Sequence, residues 1–490
     1  MSPRLTATDD LPSAVARPAY RREAHGVGIV HLGLGAFHKA HQAVATDDAL
    51  AAAGGDWRIA GVSLRSTAPS EELTPQGGLY TLIERDADGT RARVVGAIAE
   101  ALALTTDRQR VLDVLCAPQT RIVTLTVTEK GYGVDREAGG VDLSHPAIAA
   151  DLAGPDAPVG VAGLLVWALG RRRAAGVAPF TVLTCDNLPE NGRVVRGLLV
   201  DFARRTAPDL ADYIAAEVAF PATMVDRITP ARGPETLALA ETLTGHEDAA
   251  AVETEAFTQW VIEDRFPSGR PAWEASGAIF VDDVRPYEDM KLRMLNGAHS
   301  MLAYAGFVAG HAHVRDVMQD APLVALIRRH LTAAAATLEP VPGVDLERYA
   351  DDLLARFANP HLAHQTYQIA MDGSQKMPQR IFAPALEAMR RNQSLAPFAF
   401  AAAAWLRYTR GRGEDGTRYA LRDPREAALA TDAADAEAIV AHVEAIAGLV
   451  PPALAASAAW HGAVVERLGR MLAQGMTAAI RHEADGAAAR

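Results

Sequence analysis

The stretch VGIVHLGLGAFHKAHQ, residues 27–42, decides the fold. Its first six residues are an apolar run of strand length, and an alanine-rich helical segment follows the glycines. Gly33 and Gly35 stand where strand meets helix. Glycine at the first position permits a tight turn, and at the second it lets backbone amides approach a pyrophosphate. The helix N-terminus behind them offers unpaired N–H groups to that anion. The third glycine of a GxGxxG pattern would fall where the chain carries His38. A lone GxG is also a common structural turn, so its place after the first strand of an α/β region is what gives it meaning.

Working outward, WRIAGVSLR (57–65), ARVVGAI (92–98), RIVTLTVT (121–128) and PFTVLTC (179–185) read as further strands. Helical stretches separate them, the longest at about 159–175 and 192–205. Strands alternating with helices imply βαβ units and a parallel sheet covered on both faces. Beyond Asp283 the periods are helical, with alanine-rich runs such as LTAAAATLE and FAFAAAAWLRY. The expected class is therefore α/β. A Rossmann-like doubly wound sheet with an N-terminal extension occupies residues 1–285, and a mainly α-helical domain occupies 286–490. The tail from His482 is expected to fray.

Composition narrows the function. With 490 residues, 60 acidic and 48 basic side chains, the net charge is −12, which speaks against nucleic acid as a partner. A local basic pocket for a small anion remains compatible with it. Two cysteines, Cys116 and Cys185, are too few for a disulfide framework or a four-thiolate zinc site. No run approaches the roughly 18–20 apolar residues that span a bilayer. The N-terminal segment lacks an apolar core and carries Asp9-Asp10, unlike a secretory signal. A cytoplasmic, membrane-free protein acting on a small molecule is the expectation, with the monomer one of the oligomeric states left open.

The segment PYEDMKLRMLNGAHSML (286–302) has no proline after Pro286 and reads as one helix. At ~100° per residue, Glu288, Lys291, His299 and Asn296 share an arc of about 140°. Leu292 and Leu295 fall in the same arc, so a solvated face is one reading. The other is chemical: a lysine base, with an amide and an imidazole placed to hold a substrate oxygen. Turning a secondary alcohol into a ketone removes a proton as well as a hydride, and without a metal the proton needs a base. Lysine, ~10.4 when unperturbed, serves only if burial or neighbouring charge brings it to about 7–8. Glu288 as a carboxylate works against that, but it could carry protons.

Asn187, in CDNLPENG after the 179–185 strand, stands at the sheet edge where open α/β folds bind ligands. It is read as a second amide donor to a developing alkoxide or as a loop cap. The second strand ends Leu64-Arg65-Ser66-Thr67-Ala68, with no carboxylate until Glu71. NAD sites usually place an acid there, whereas an arginine can meet a 2′-phosphate, so NAD and NADP both stay open. His38, His41, His311 and His313 lack the companions of a metal site and read as structural, and Cys185 reads as a buried thiol. Asp226 and Arg227 are either a structural ion pair or substrate groups. No GxSxG elbow is present, which sets aside hydrolase chemistry. A catalytically silent dinucleotide binder is the alternative of a different class.

HLGLGAFHKAHQ, TLTVTEKGY, CDNLPENG, FPATMVDRITP, FTQWVIEDRFPSGRPAW, KLRMLNGAHS and DGSQKMPQR together resemble the long-chain mannitol dehydrogenase family over nearly the whole chain. That resemblance implies a zinc-independent, nicotinamide-dependent oxidoreductase, with NAD as cofactor and NADP not excluded, acting on a sugar, polyol or sugar acid. It implies Lys291 as acid/base within KxxxxNxxH. Asn187 and Asn296 would polarise the substrate oxygen, His299 would position the substrate, and Glu288 and Glu129 would form a proton route. Asp226, Lys376, Gln368 and Arg380 fall at substrate positions. Gly33, Gly35, Phe37, Arg65 and Ser66 fall at the cofactor. The family pattern GxGxFHxAH itself lacks the third glycine. The stretch HQTYQIAMDGSQKMPQR (364–380) resembles fructuronate reductases, with Gln368 where mannitol enzymes tend to carry arginine. CDNLPENG, PAWE and VPGVDL are closer to the mannitol branch. D-Fructuronate/D-mannonate is the expected pair and D-fructose/D-mannitol the alternative, and a carboxylate substrate calls for a cation such as Lys376 or Arg380.

Overall fold

In the computed structural model, which describes residues 2–135, 139–361 and 364–488, five apolar runs form a parallel sheet. They are β1 (Val27–Leu32), β2 (Arg58–Ser63), β3 (Ile98–Ala103), β4 (Ile122–Leu125) and β5 (Thr181–Thr184). Their order is β5-β4-β1-β2-β3, every neighbouring pair parallel. Alternate residues enter two separate cores. Val30, Leu32, Val62, Val123 and Val182 pack with the helices Arg108–Cys116, Val161–Ala174 and Asn191–Thr206. Ile29, Ile59, Ile98, Ile122 and Leu183 pack with Ala49 and Leu50 of the helix Gln42–Ala53, and with Trp260 and Trp273. Both faces being buried explains why the strands read as continuous apolar runs. The chain steps outward from β1 through β2 to β3 and then crosses back to lay β4 on the other side of β1, so the order reverses beside β1, the place where open α/β sheets form a crevice beyond the strand ends.

Two readings are corrected. ARVVGAI is not one strand: Gly89–Val95 pairs antiparallel with Tyr80–Asp86 in a second sheet, and the parallel sheet resumes at Ile98. Gly96 makes the break, its N–H donating to Asp47 Oδ1 at 2.8 Å while a Cβ there would strike Pro18. The tail does not fray at His482, because Met476–Ala488 is helical, with Met476, Ala479 and Ile480 buried. Arg467 pairs with Glu483 at 2.8 Å and Arg329 donates to the Glu483 carbonyl at 3.0 Å.

The chain divides into two units, Met1–Arg285 and Pro286–Arg490. In the second, the helix Gly297–Val308 packs against the helices Ala396–Tyr408, Ala321–Ala336 and Thr366–Ala370. Every residue from Phe398 to Tyr408 is buried, and the alanines among them let neighbouring helices approach closely. Among the described residues no helix is long and apolar enough to cross a membrane.

Candidate active site

In the first unit the glycine turn lies at the crevice beside β1. Gly33 holds φ +104°, in the left-handed region that favours glycine, and a Cβ there would fall on the Thr126 carbonyl oxygen. Gly35 is different: its φ of −137° suits any residue, and the nearest atom to a Cβ is Gly33 O at 3.6 Å. What Gly35 provides is open space above the backbone, and the short helix Ala36–Ala40 follows it. His31, fully buried on β1, fixes the turn to the end of β4. Its ring nitrogens meet Thr124 Oγ1 at 2.8 Å and Thr126 Oγ1 at 2.9 Å, and Thr126 Oγ1 donates to Gly33 O at 3.0 Å. His38, at the third-glycine position, stacks on His31 with centroids 3.4 Å apart, and burial holds both rings neutral, far below the usual imidazole range. Phe37 is half-buried and stacks on His41 at 5.2 Å. Arg65 and Ser66, past β2, are exposed, and Ser66 Oγ accepts from Ala68 N at 3.1 Å.

Lys39, on the same short helix, is buried, and Nζ donates to Ala250 O at 2.7 Å. Burial pushes its amine down to about 8. Between about pH 8 and 10.4 the unfolded chain keeps a proton that the folded chain has released, so this group makes stability rise with pH across that window. Relative to Lys39→Met, the wild type is expected to gain about 2 kcal/mol in urea unfolding between about pH 8 and pH 10. An unchanged difference would mean that the amine is not desolvated.

Two loops at the same sheet edge are tied together by Asp186, which the sequence did not single out. Its carboxylate accepts from Val127 N at 2.9 Å, Thr128 N at 3.0 Å and Tyr132 OH at 2.7 Å. The exposed Glu129, opening the short turn Glu129–Gly131, is thus held to the loop that carries the exposed Asn187. The buried Asn191 was also missed. Its Nδ2 reaches Thr223 O at 2.8 Å and Asp186 O at 3.1 Å, and its Oδ1 accepts from Thr223 N at 2.9 Å. Thr128 (φ 67°) and Glu190 (φ 48°) flank these loops in left-handed conformations that cost non-glycine residues energy. Asp226 is buried at the end of the strand Thr223–Asp226. Arg227 forms its ion pair with Glu84, and its Nη1 donates to Ala40 O at 2.6 Å.

In the second unit, 286–302 is not one regular helix. Arg285–Met290 is α-helical, Lys291–Asn296 is a π turn, and Gly297–Val308 is α-helical again. Bonds from i to i+5 place Asn296 about one turn beyond Lys291, closer around the axis than the 140° of an ideal α-helix would allow. Such turns are rare and cluster at functional sites. Lys291, Glu288, Asn296 and His299 are each half-buried, which rules out a fully solvated stripe. His299 lies against Phe357 at 4.6 Å and edge-on to His364 at 5.7 Å. Burial, then the charges of His364, Arg356 and Arg380, hold it neutral.

Of the residues expected at the substrate, Lys376 and Arg380 approach this cluster from the stretch 364–380. Lys376 Nζ donates to Met371 O at 2.6 Å and Ile369 O at 3.1 Å, and its charge helps depress the His364 imidazole after burial itself. Asp372, just before the helix Gly373–Met377 that carries Lys376, holds φ 57°. Arg380 Nη1 lies 3.3 Å from Ser300 Oγ and 3.5 Å from Asn296 O. Gln368 is exposed on the helix Thr366–Ala370. His364 is the residue of this cluster that the sequence reading missed.

His311, His313 and His41 have structural partners. His311 meets Asp320 at 3.3 Å, His313 caps a helix through Asp316 at 3.1 Å, and His41 meets Gln259 O at 3.2 Å. Cys185 is buried, which pushes its thiol far up. A cleft of about 650 Å³ in the first unit, lined by Glu190, Arg193, Phe220, Glu263, Arg265 and Arg285, contains none of the expected site residues. Three of its arginines pair with local carboxylates, Arg193 with Glu190 at 2.9 Å, Arg265 with Glu263, and Arg285 with Asp283 at 2.6 Å, and the fourth, Arg196, donates to Ala215 O at 2.9 Å.

The family model of the mannitol dehydrogenase Rossmann domain matches residues 27–275, and that of the mannitol dehydrogenase C-terminal domain matches 283–471. The chain belongs to the mannitol dehydrogenase family. It is 44% identical to the D-mannonate oxidoreductase of Escherichia coli over 425 residues, 86% of this chain and 87% of that one. It is 41% identical to the mannitol 2-dehydrogenase of Phaeosphaeria nodorum over 441 residues, 89% and 78% of the two chains. The solved Pseudomonas fluorescens mannitol 2-dehydrogenase, a ternary complex with NAD and D-mannitol, superposes with TM-score 0.84 at 38% identity, covering 98% of this chain and 99% of that chain. Membership makes this protein an oxidoreductase with a Rossmann domain. Its glycine turn fits a dinucleotide: Gly33 makes the tight bend and Gly35 leaves clear the space that a side chain would fill.

Proposed function

We propose that this member of the mannitol dehydrogenase family interconverts D-fructuronate and D-mannonate with NAD. The observation that carries the chemistry is the half-buried Lys291 opening a π turn, with Asn296 closing it and a neutral His299 just beyond. Bound at the glycine turn, NAD supplies the hydride acceptor for oxidation and, reduced, the hydride for the ketone. Lys291 Nζ takes the hydroxyl proton in oxidation and returns it in reduction. The Asn296 amide donates to the same oxygen as negative charge gathers there, a fixed donor that needs no reorganisation. Neutral His299 presents one N–H and one lone pair, suiting it to orient a neighbouring hydroxyl. Glu288, three residues before Lys291, carries the proton onward, and Asn187 is a further amide donor. Asp226 and Gln368 recognise hydroxyls, and Lys376, already pinned by two carbonyls, meets the carboxylate.

The sugar acid is supported by the likeness to a D-mannonate oxidoreductase and by Gln368 in place of an arginine. D-Mannitol and D-fructose form the second reading, supported by CDNLPENG and the mannitol 2-dehydrogenase likeness. Fructuronate, tagaturonate, fructose and xylulose, each assayed with NADH and NADPH, separate the two. The highest kcat/KM is expected for fructuronate with NADH. A higher value for fructose moves the substrate to the mannitol branch, and preference for NADPH assigns Arg65 a 2′-phosphate. Cofactor binding without turnover of any ketose would favour the silent binder.

A further inference from the structure

We propose that Arg380 is a positioning residue for Asn296, and so not the cation that meets the substrate; this rests on the function proposed above. Two π turns lie side by side in the second unit, Lys291–Asn296 and Pro378–Phe382. Pro378 lacks the N–H of a regular helical rung and crowds the preceding turn, which gives the second widening a local cause. Gly297 allows the first turn to sit against it, since a Cβ there would come within 3.0 Å of both Arg380 O and His330 Nε2. The backbone of Arg380 is thus lodged at the junction where the wide turn ends and the regular helix begins.

Its side chain spans the same junction. Arg380 Nη1 approaches Asn296 O at 3.5 Å and the buried Ser300 Oγ at 3.3 Å, two acceptors four residues apart on one helix. Both contacts are long, but a guanidinium is always charged, and charge-assisted contacts are stronger than neutral ones. A carbonyl has two lone pairs, so Asn296 O can accept from the guanidinium beside any helical bond. Where helical geometry changes, the direction of a side chain depends on how far the turn has widened. A cation fastened to the Asn296 carbonyl fixes that opening, and with it the aim of the Asn296 amide. Misplacing a catalytic group by about 1 Å can cost on the order of 10²-fold.

Because this cation serves the helix, its loss must affect neutral and anionic substrates alike. The test is steady-state reduction of fructuronate and fructose by NADH in the wild type and in Arg380→Met, Arg380→Lys and Ser300→Ala. For Arg380→Met, kcat is expected to fall roughly 10- to 100-fold on both ketoses, the size seen when a supporting contact of a reacting group is lost, with little change in either KM. Arg380→Lys, keeping a charged donor, should recover part of that loss, and Ser300→Ala should show a smaller fall of the same kind. A rise in KM confined to fructuronate, with kcat unchanged, would make Arg380 the carboxylate's partner and overturn the proposal. If Arg380→Met does not fold, an unchanged kcat in Ser300→Ala overturns it instead. A wild type inactive on every ketose removes the underlying function, whereas an active wild type with an indifferent Arg380→Met removes this inference alone.

Discussion

Lys291→Ala is expected to lower kcat for both directions roughly 10²- to 10⁴-fold, the usual contribution of a general acid or base, while NADH affinity stays near the wild-type value. The residue stands in the second unit, half-buried at the start of the π turn, and the glycine turn belongs to the first. The substitution alters no residue of the glycine turn. In the wild type, alcohol oxidation should rise with pH through a single ionisation, because only the neutral amine can take a proton, and ketone reduction should fall through the same ionisation. The variant should lose that limb. Small primary amines added to Lys291→Ala should restore part of the rate, and a loss of NADH binding equal to the loss of rate would instead mark Lys291 as a folding residue.

Gly33→Ala and Gly35→Ala should separate the two jobs of the glycine turn. At Gly33 the new methyl falls on the Thr126 carbonyl with φ at +104°, and left-handed strain alone costs of order 1–3 kcal/mol. The clash adds to it, so Gly33→Ala is expected to lose at least about 2 kcal/mol of stability in urea unfolding and to abolish measurable NADH binding. At Gly35 the backbone accepts alanine and nothing lies closer than 3.6 Å. Gly35→Ala should therefore unfold within about 0.5 kcal/mol of the wild type, as substitutions away from strained or packed features do. Its methyl, however, occupies space assigned to the pyrophosphate, and NADH fluorescence titration should show weaker binding. Undiminished affinity in Gly35→Ala would move the cofactor away from this turn.

The parallel sheet was legible because it is buried on both faces, so that Ile29 and Val30, or Ile122 and Val123, enter different cores and the strands read as unbroken apolar runs. The hairpin Tyr80–Asp86 with Gly89–Val95 escaped because its exposed end, near Thr90 and Arg91, dilutes that signal. Candidate residues on the edges of elements, such as Gly33, Asn187 and Lys291, were visible from their order along the chain. The residues that hold them in place were not, because Asp186, Asn191, His31 and His364 act through partners far away in sequence. The π turn was equally hidden. KLRMLN suits an ordinary helix, and its widening accompanies contacts of Gly297 with Arg380 and His330, 33 or more positions later. The helical tail was lost for a similar reason, since Met476 and Ile480 are buried only once the chain has folded.

A turn closed from i to i+5 holds one residue more than its neighbours. Without it, everything downstream would rotate by about 100°, carrying Ala298, Met301, Leu302 and Ala305 out of the pockets they now fill. Because that helix is enclosed on nearly every side, the surplus residue is locked in as firmly as any hydrophobic anchor. A one-residue gap here in an evolutionary comparison would therefore mark a rebuilt reaction centre, even though the same gap in a surface loop would mean almost nothing.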